Sequence, residues 1–93
     1  MKKAGIVRER DINLIGYNFF NADKVLAGLA VLQANVQFYP ESPNAHDSYA
    51  EVLLANGQEK LALAHLKKAV KLAEEQEHWN LEGFRKNLAS LEK

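Results

Sequence analysis

Ile15-Gly16-Tyr17-Asn18-Phe19-Phe20 and, 34 residues further on, Tyr49-Ala50-Glu51-Val52-Leu53-Leu54 are the two stretches on which the fold turns. Laid over one another at that displacement, the chain sets Ile15 on Tyr49, Gly16 on Ala50, Phe19 on Leu53, Asp23 on Gly57, Gly28 on Ala62, Leu32 on Leu66, Val36 on Val70 and Phe38 on Leu72. Large residues fall on large and small on small. A fixed period of about 20 to 50 residues marks a chain that repeats one supersecondary unit. Here the unit reads as a helix hairpin: the small residues Gly16, Gly28, Ala50 and Ala62 let two helix backbones approach, and the large residues fill the space beside them. A further displacement of 34 sets Tyr49 against Gly83 and Leu53 against Asn87, so no third unit follows.

Working outward, the sequence predicts five helices and no strand. Two prolines and five glycines interrupt segments rich in Ala, Leu, Lys, Glu and Gln, the residues that lose least on entering a helix. No segment alternates apolar and polar strictly enough for a half-buried strand. The first helix is expected over about Arg8 to Ala22, with Ile12, Ile15, Gly16, Phe19 and Phe20 on one side. The second covers about Lys24 to Phe38, with Leu29, Leu32, Val36 and Phe38 inward. Tyr39-Pro40-Glu41-Ser42-Pro43 breaks the chain. Ser42 is placed to cap the third helix, and Pro43 fits its first position because a missing N–H costs nothing there. That helix runs to about Asn56 and stops at Gly57, the residue best suited to a left-handed conformation. The fourth extends from about Glu59 into the Glu74 to His78 region, with Ala62, Leu66, Ala69, Val70 and Ala73 as its apolar set. In the last, about Asn80 to Leu91, Leu81, Phe84, Leu88 and Leu91 form a single stripe. Glu82, Arg85, Lys86, Ser90 and Glu92 are left to water, as in a cap over the second unit.

Composition narrows the function classes. The 93 residues, 47% apolar and 26% charged, fit a single domain over 1–93. Twelve basic and twelve acidic residues leave no net charge, and hence no broad positive field for nucleic acid or anionic lipid. The absence of cysteine excludes disulfides and thiolate metal sites but leaves the compartment open. The apolar run Ala4 to Val7 stops at Arg8, short of a signal-peptide core, and no run approaches a membrane span. The chain thus reads as soluble, cytoplasmic by default.

No catalytic, cofactor or metal site is expected. His46, Asp47 and Ser48 are the residue types of a hydrolase triad but are consecutive, and neighbouring helix positions point about 100° apart. His46, His65 and His78 stand 19 and 13 residues apart, which matches no local metal-ligand spacing, so they read as solvated or half-buried. Lys67, Lys68 and Lys71 are followed at once by Glu74, Glu75 and Glu77, a mixed solvated face. Trp79 is expected to plug the space between the fourth helix and the cap.

The repeated pattern resembles the tetratricopeptide repeat. It is carried by Ile15-Gly16, Phe19, Leu32 and Pro40 in unit one (about 10–41), and by Tyr49-Ala50, Leu53, Gly57, Ala62, Leu66 and Ala69 in unit two (about 43–76), with a capping helix at about 80–92. Asp23, Gly28 and Glu74 depart from it, standing where Gly, Ala and Pro are usual. Of these Asp23 is mild, because Asp tolerates a left-handed turn. The resemblance implies an all-α fold of antiparallel hairpins stacked as a short solenoid, and a function in protein–protein interaction. In such proteins the first helix of each hairpin lines a concave groove for a peptide or partner helix. The residues facing it would be Asn13, Tyr17, Phe20 and Asn21 from unit one and Asp47, Glu51 and Leu54 from unit two. Coverage of Phe20 and Leu54 by the last helix or by a second copy is the competing reading. Asn13, Tyr17 and Ser48 stand at the places of the Lys and Asn carboxylate clamp used for acidic C-terminal tails, so such tails are not expected as ligands.

Asn35-Val36, Tyr39-Pro40, Ser42, Asn44-Ala45, Asp47-Ser48 and Glu51 form a more particular string, similar to the helical-repeat tails of some bacterial serine hydrolases of the β-lactamase-like and esterase groups. That likeness implies a tail or accessory module, periplasmic if the hydrolase is exported, and transfers no catalytic residue. About three stacked units are usual for a stable array. Two units plus a cap therefore point to added burial against a second copy or a larger neighbour, at the end of unit one, where Met1 to Glu9 shows no capping helix.

Overall fold

The computed structural model describes residues 9–92, and side chains from Ile12 onward. The expected start at Arg8 and the expectation for Met1 to Arg8 lie outside the described residues. These form five α-helices and no strand: α1 (Glu9–Asn21), α2 (Val25–Phe38), α3 (Pro43–Ala55), α4 (Glu59–Gln76) and α5 (Leu81–Glu92). α1 packs on α2 and α3 on α4; α2 joins the two hairpins by packing on α3, and α5 closes over α4.

Both hairpins turn in the same way. Asp23 and Gly57, in register at the 34-residue displacement, both have left-handed backbone, φ 64° and 79°. The following residues, Lys24 and Gln58, share a conformation (φ −102° and −98°, ψ 66° in both). The Lys24 N–H donates to the Phe19 carbonyl at 2.9 Å, and the Gln58 N–H to the Leu53 carbonyl at 2.9 Å. These bonds satisfy carbonyls left over at the ends of α1 and α3, as a left-handed C-terminal turn does.

Close approach of α1 and α2 needs Gly28. A Cβ built there would sit 2.8 Å from the Gly16 carbonyl oxygen, and one at Gly16 would meet the Leu32 side chain at 2.6 Å. In the second hairpin Ala50 and Ala62 occupy the same positions and are fully buried. Leu32, Tyr49, Ala50, Val52, Leu53, Ala62 and Leu66 make the main core, with Phe20, Val25, Leu29, Val36, Leu88 and Leu91 packed against it. Phe84 enters a second cluster with Ala69 and Ala73, so the α5 stripe faces inward. At the start of α3 the Ala45 N–H donates to Ser42 Oγ at 3.1 Å, with Pro43 in the first turn. α4 ends on a left-handed Glu77.

Three side chains depart from expectation. Phe38 is 74% exposed, Ile15 45% and Trp79 86%. Phe38 lies two positions past Val36, about 200° round the helix, and the fully buried residue is instead Asn35, neither amide atom of which has a protein hydrogen-bond partner. Trp79 is no plug: it lies outside, its ring stacked on His78 at 5.6 Å, while His78 touches Phe84. The space between α4 and α5 is already filled by Phe84 and small alanines.

Candidate functional site

The first helices of the two hairpins, α1 and α3, lie side by side, and residues 34 apart meet across them. Tyr17 Oη donates to Glu51 Oε1 at 2.7 Å. Burial raises the Tyr17 hydroxyl above its ordinary value, a hydrogen bond with Ser48 works against that, and the Glu51 carboxylate raises it further. One turn earlier on α3, Asp47 Oδ1 accepts from Asn87 Nδ2 of α5 at 2.9 Å. Burial raises the Asp47 pKa; the Asn87 bond lowers it, and the nearby Glu51 charge raises it further.

Between these contacts lies an open groove of about 270 Å³, lined by Asp47, Glu51 and Leu54 of α3, Leu66 of α4, and Asn87 and Ser90 of α5. The i, i+3/i+4 spacing of Asp47, Glu51 and Leu54 aligns them along one helix face. One end is acidic and the other aliphatic. Neither carboxylate has an ion-pair partner among the described residues, whose only ion pairs join Arg85 to Glu74 and Glu82.

The expected groove ran along the first helices α1 and α3, whereas this one lies between α3, α4 and α5; of the seven residues expected, Asp47, Glu51 and Leu54 line it and Tyr17 bonds to Glu51 at its wall. Asn13 is half-buried, its amide oxygen enclosed and without a protein partner. Phe20 packs against the core, and Asn21 is exposed at the end of α1. Sequence reasoning missed the wall supplied by Leu66, Asn87 and Ser90; Ser90 is exposed, as expected, but on the side of α5 that borders the groove. For Asn87 and Ser90 the available signal is their position beside Leu88 and Leu91, since a stripe that packs inward carries its edges along the neighbouring surface.

The triad types diverge. His46 is buried and turned toward Pro40 and His65, whereas Asp47 turns to Asn87. No group of three or more His, Asp or Glu side chains is arranged to hold a metal among the described residues, and no helix among them is long and apolar enough to cross a membrane. A second open depression, of about 290 Å³, on the flank of hairpin one is lined by Ile15, Asn18, Phe19, Ala22 and Lys24. Comparison with known protein families, with curated proteins and with solved structures finds no match.

Proposed function

We propose that this chain is a non-catalytic protein–protein interaction module of the tetratricopeptide-repeat kind, which takes a peptide or partner helix in the groove between α3 and α5. The observation that carries this reading is the alignment of Asp47, Glu51 and Leu54 on one open face beside Leu66. A partner segment with a basic side chain next to an aliphatic one complements that lining. Bond-for-bond repetition of the hairpin turn at a displacement of 34 supports the repeat reading. The test is affinity capture with the intact chain and with Tyr17→Ala and Glu51→Ala variants. Both variants are expected to melt near the parent temperature while recovering several-fold less of one specific protein. Equal recovery, or unfolding of both variants, contradicts the proposal.

The alternative is a dimerising or structural accessory module, such as a hydrolase tail, using the flank of hairpin one. Exposed Ile15 with Phe19 and Ala22 in the second depression favours it. Sedimentation of the intact chain at micromolar concentration separates the two: a stable monomer with a cooperative melt removes self-pairing, and a dimer abolished by Ile15→Asp removes the free-standing reading.

A further inference from the structure

Away from the groove, two histidines from different hairpin elements share a hydrogen bond. His46 Nδ1 lies 2.9 Å from His65 Nδ1, and His46 Nε2 lies 2.8 Å from the Pro40 carbonyl oxygen. The rings stack with centroids 5.1 Å apart, and the Tyr49 ring meets His65 edge-on at 4.8 Å. The chain of bonds fixes the protons. A carbonyl only accepts, so His46 Nε2 carries a hydrogen; neutral His46 then offers a lone pair at Nδ1, and His65 Nδ1–H donates to it. One added proton finds an open site only at the outer Nε2 of His65, where burial and the neighbouring His46 resist it. A second has to go to His46 Nδ1, where two N–H groups then point at each other across the same short gap.

We propose that His46 and His65 form a pH-sensitive latch, which holds the loop 39–42 and the first turn of α3 against α4 and opens when the pair takes up its second proton. Facing the pair are Lys68 of α4, the Tyr49 ring of α3 and the Pro40 carbonyl of the loop. No carboxylate pairs with either ring among the described residues to offset the second charge. Burial lowers the His46 pKa, the Pro40 bond works against that, and Lys68 lowers it further; burial and then His46 lower that of His65. The sign follows. The unfolded rings bind protons near pH 6.5 and the folded pair resists, so the stabilisation is complete above that pH. It is lost as pH falls below it, with the unfolding constant rising up to about tenfold per pH unit for each histidine. A second contact of the loop with α4, Gln76 Nε2 donating to the Glu41 carbonyl oxygen, carries no titratable group and so adds no pH dependence of its own.

The experiment is a nitrogen-15 titration of the imidazoles in the intact chain, with chemical unfolding and amide exchange between pH 7.5 and 5.0, on the parent and on His65→Gln. Gln keeps a donor for His46 and removes a titrating ring. Expected are an Nε2–H tautomer at His46, an Nδ1–H tautomer at His65, and midpoints below 6.5 for both. His65→Gln is expected to flatten the pH profile by up to about tenfold per unit. In the parent, opening at low pH is expected over 39–48 and 61–68. Midpoints at or above 6.5 for both rings, or the reverse tautomers, overturn the latch, as do parallel pH profiles of parent and variant. Should His65→Gln fail to fold, the tautomers and midpoints of the parent decide alone.

Discussion

Tyr17 and Glu51 hold the same position in the two hairpins, and the hydroxyl of one donates to the carboxylate of the other at 2.7 Å. Repetition thus converts a displacement along the chain into a contact between neighbouring units, and the contact fixes one wall of the groove. A bond between a half-buried phenol and an exposed carboxylate contributes about 1 kcal/mol or less. In a double-mutant cycle, Tyr17→Phe and Glu51→Ala, each of which removes the bond, are expected to show a coupling energy of that size and to leave helicity unchanged. Strict additivity of the two substitutions in urea melts counts against a direct bond.

The interior of hairpin one is predicted to reject even a methyl group at Gly28. A Cβ there meets the Gly16 backbone oxygen at 2.8 Å, and backbone does not move aside as a flexible side chain does. Overpacking costs on the order of 1 to 3 kcal/mol, against a helix-propensity gain of roughly 1 kcal/mol. Gly28→Ala is therefore expected to lower the melting temperature, and Gly28→Leu to lower it further. A raised melting temperature for Gly28→Ala shows that the helices stand further apart.

The turn residues make a paired prediction. Asp23 and Gly57 occupy equivalent left-handed positions, so Gly57→Ala introduces strain of about 1 kcal/mol, while Asp23→Gly relieves less, because Asp already tolerates that conformation. Opposite shifts of melting temperature are expected; shifts of the same sign contradict the equivalence of the turns.

Much of this was legible before any coordinates. The Ser42-Pro43 start and the Gly57 stop are local signals, since caps and left-handed turns depend on a few neighbouring residues, and the displacement of 34 residues shows because both hairpins set small and large residues at the same places. What failed depended on angle or on distant partners. Phe38 is apolar but lies on the outward side of α2, and Asn35 is polar yet takes an inward place. Trp79 was displaced by Phe84, whose burial between α4 and α5 depends on how the last helix folds back. The groove followed the same division. Asp47, Glu51 and Leu54 follow from the repeat resemblance and share one helix face, whereas Leu66, Asn87 and Ser90 belong to elements that meet them only through tertiary packing. The His46–His65 contact spans 19 residues and had no spacing signature.

Asp47 is expected to cost stability. Burial and the Glu51 charge raise its pKa, so the folded state disfavours the ionised form and gains stability as pH falls through the folded value. Asp47→Asn keeps an acceptor for Asn87 and removes the charge. At pH 7 it is expected to raise stability slightly, by about 0.5 kcal/mol or less after solvent screening, with the gain vanishing at pH 3. A destabilised variant at pH 7 means that the carboxylate serves the fold and not a partner.

The proposed docking surface is tested most directly by site-specific photo-crosslinking in the native host. A photoreactive amino acid is placed at position 54, at the aliphatic end of the groove, or at position 61 or 79, on exposed surface elsewhere. A groove-binding module is expected to give one discrete protein adduct from position 54 and none of that mass from 61 or 79. The same adduct from 61 or 79 with none from 54, or no adduct from 54 in a folded protein, contradicts it.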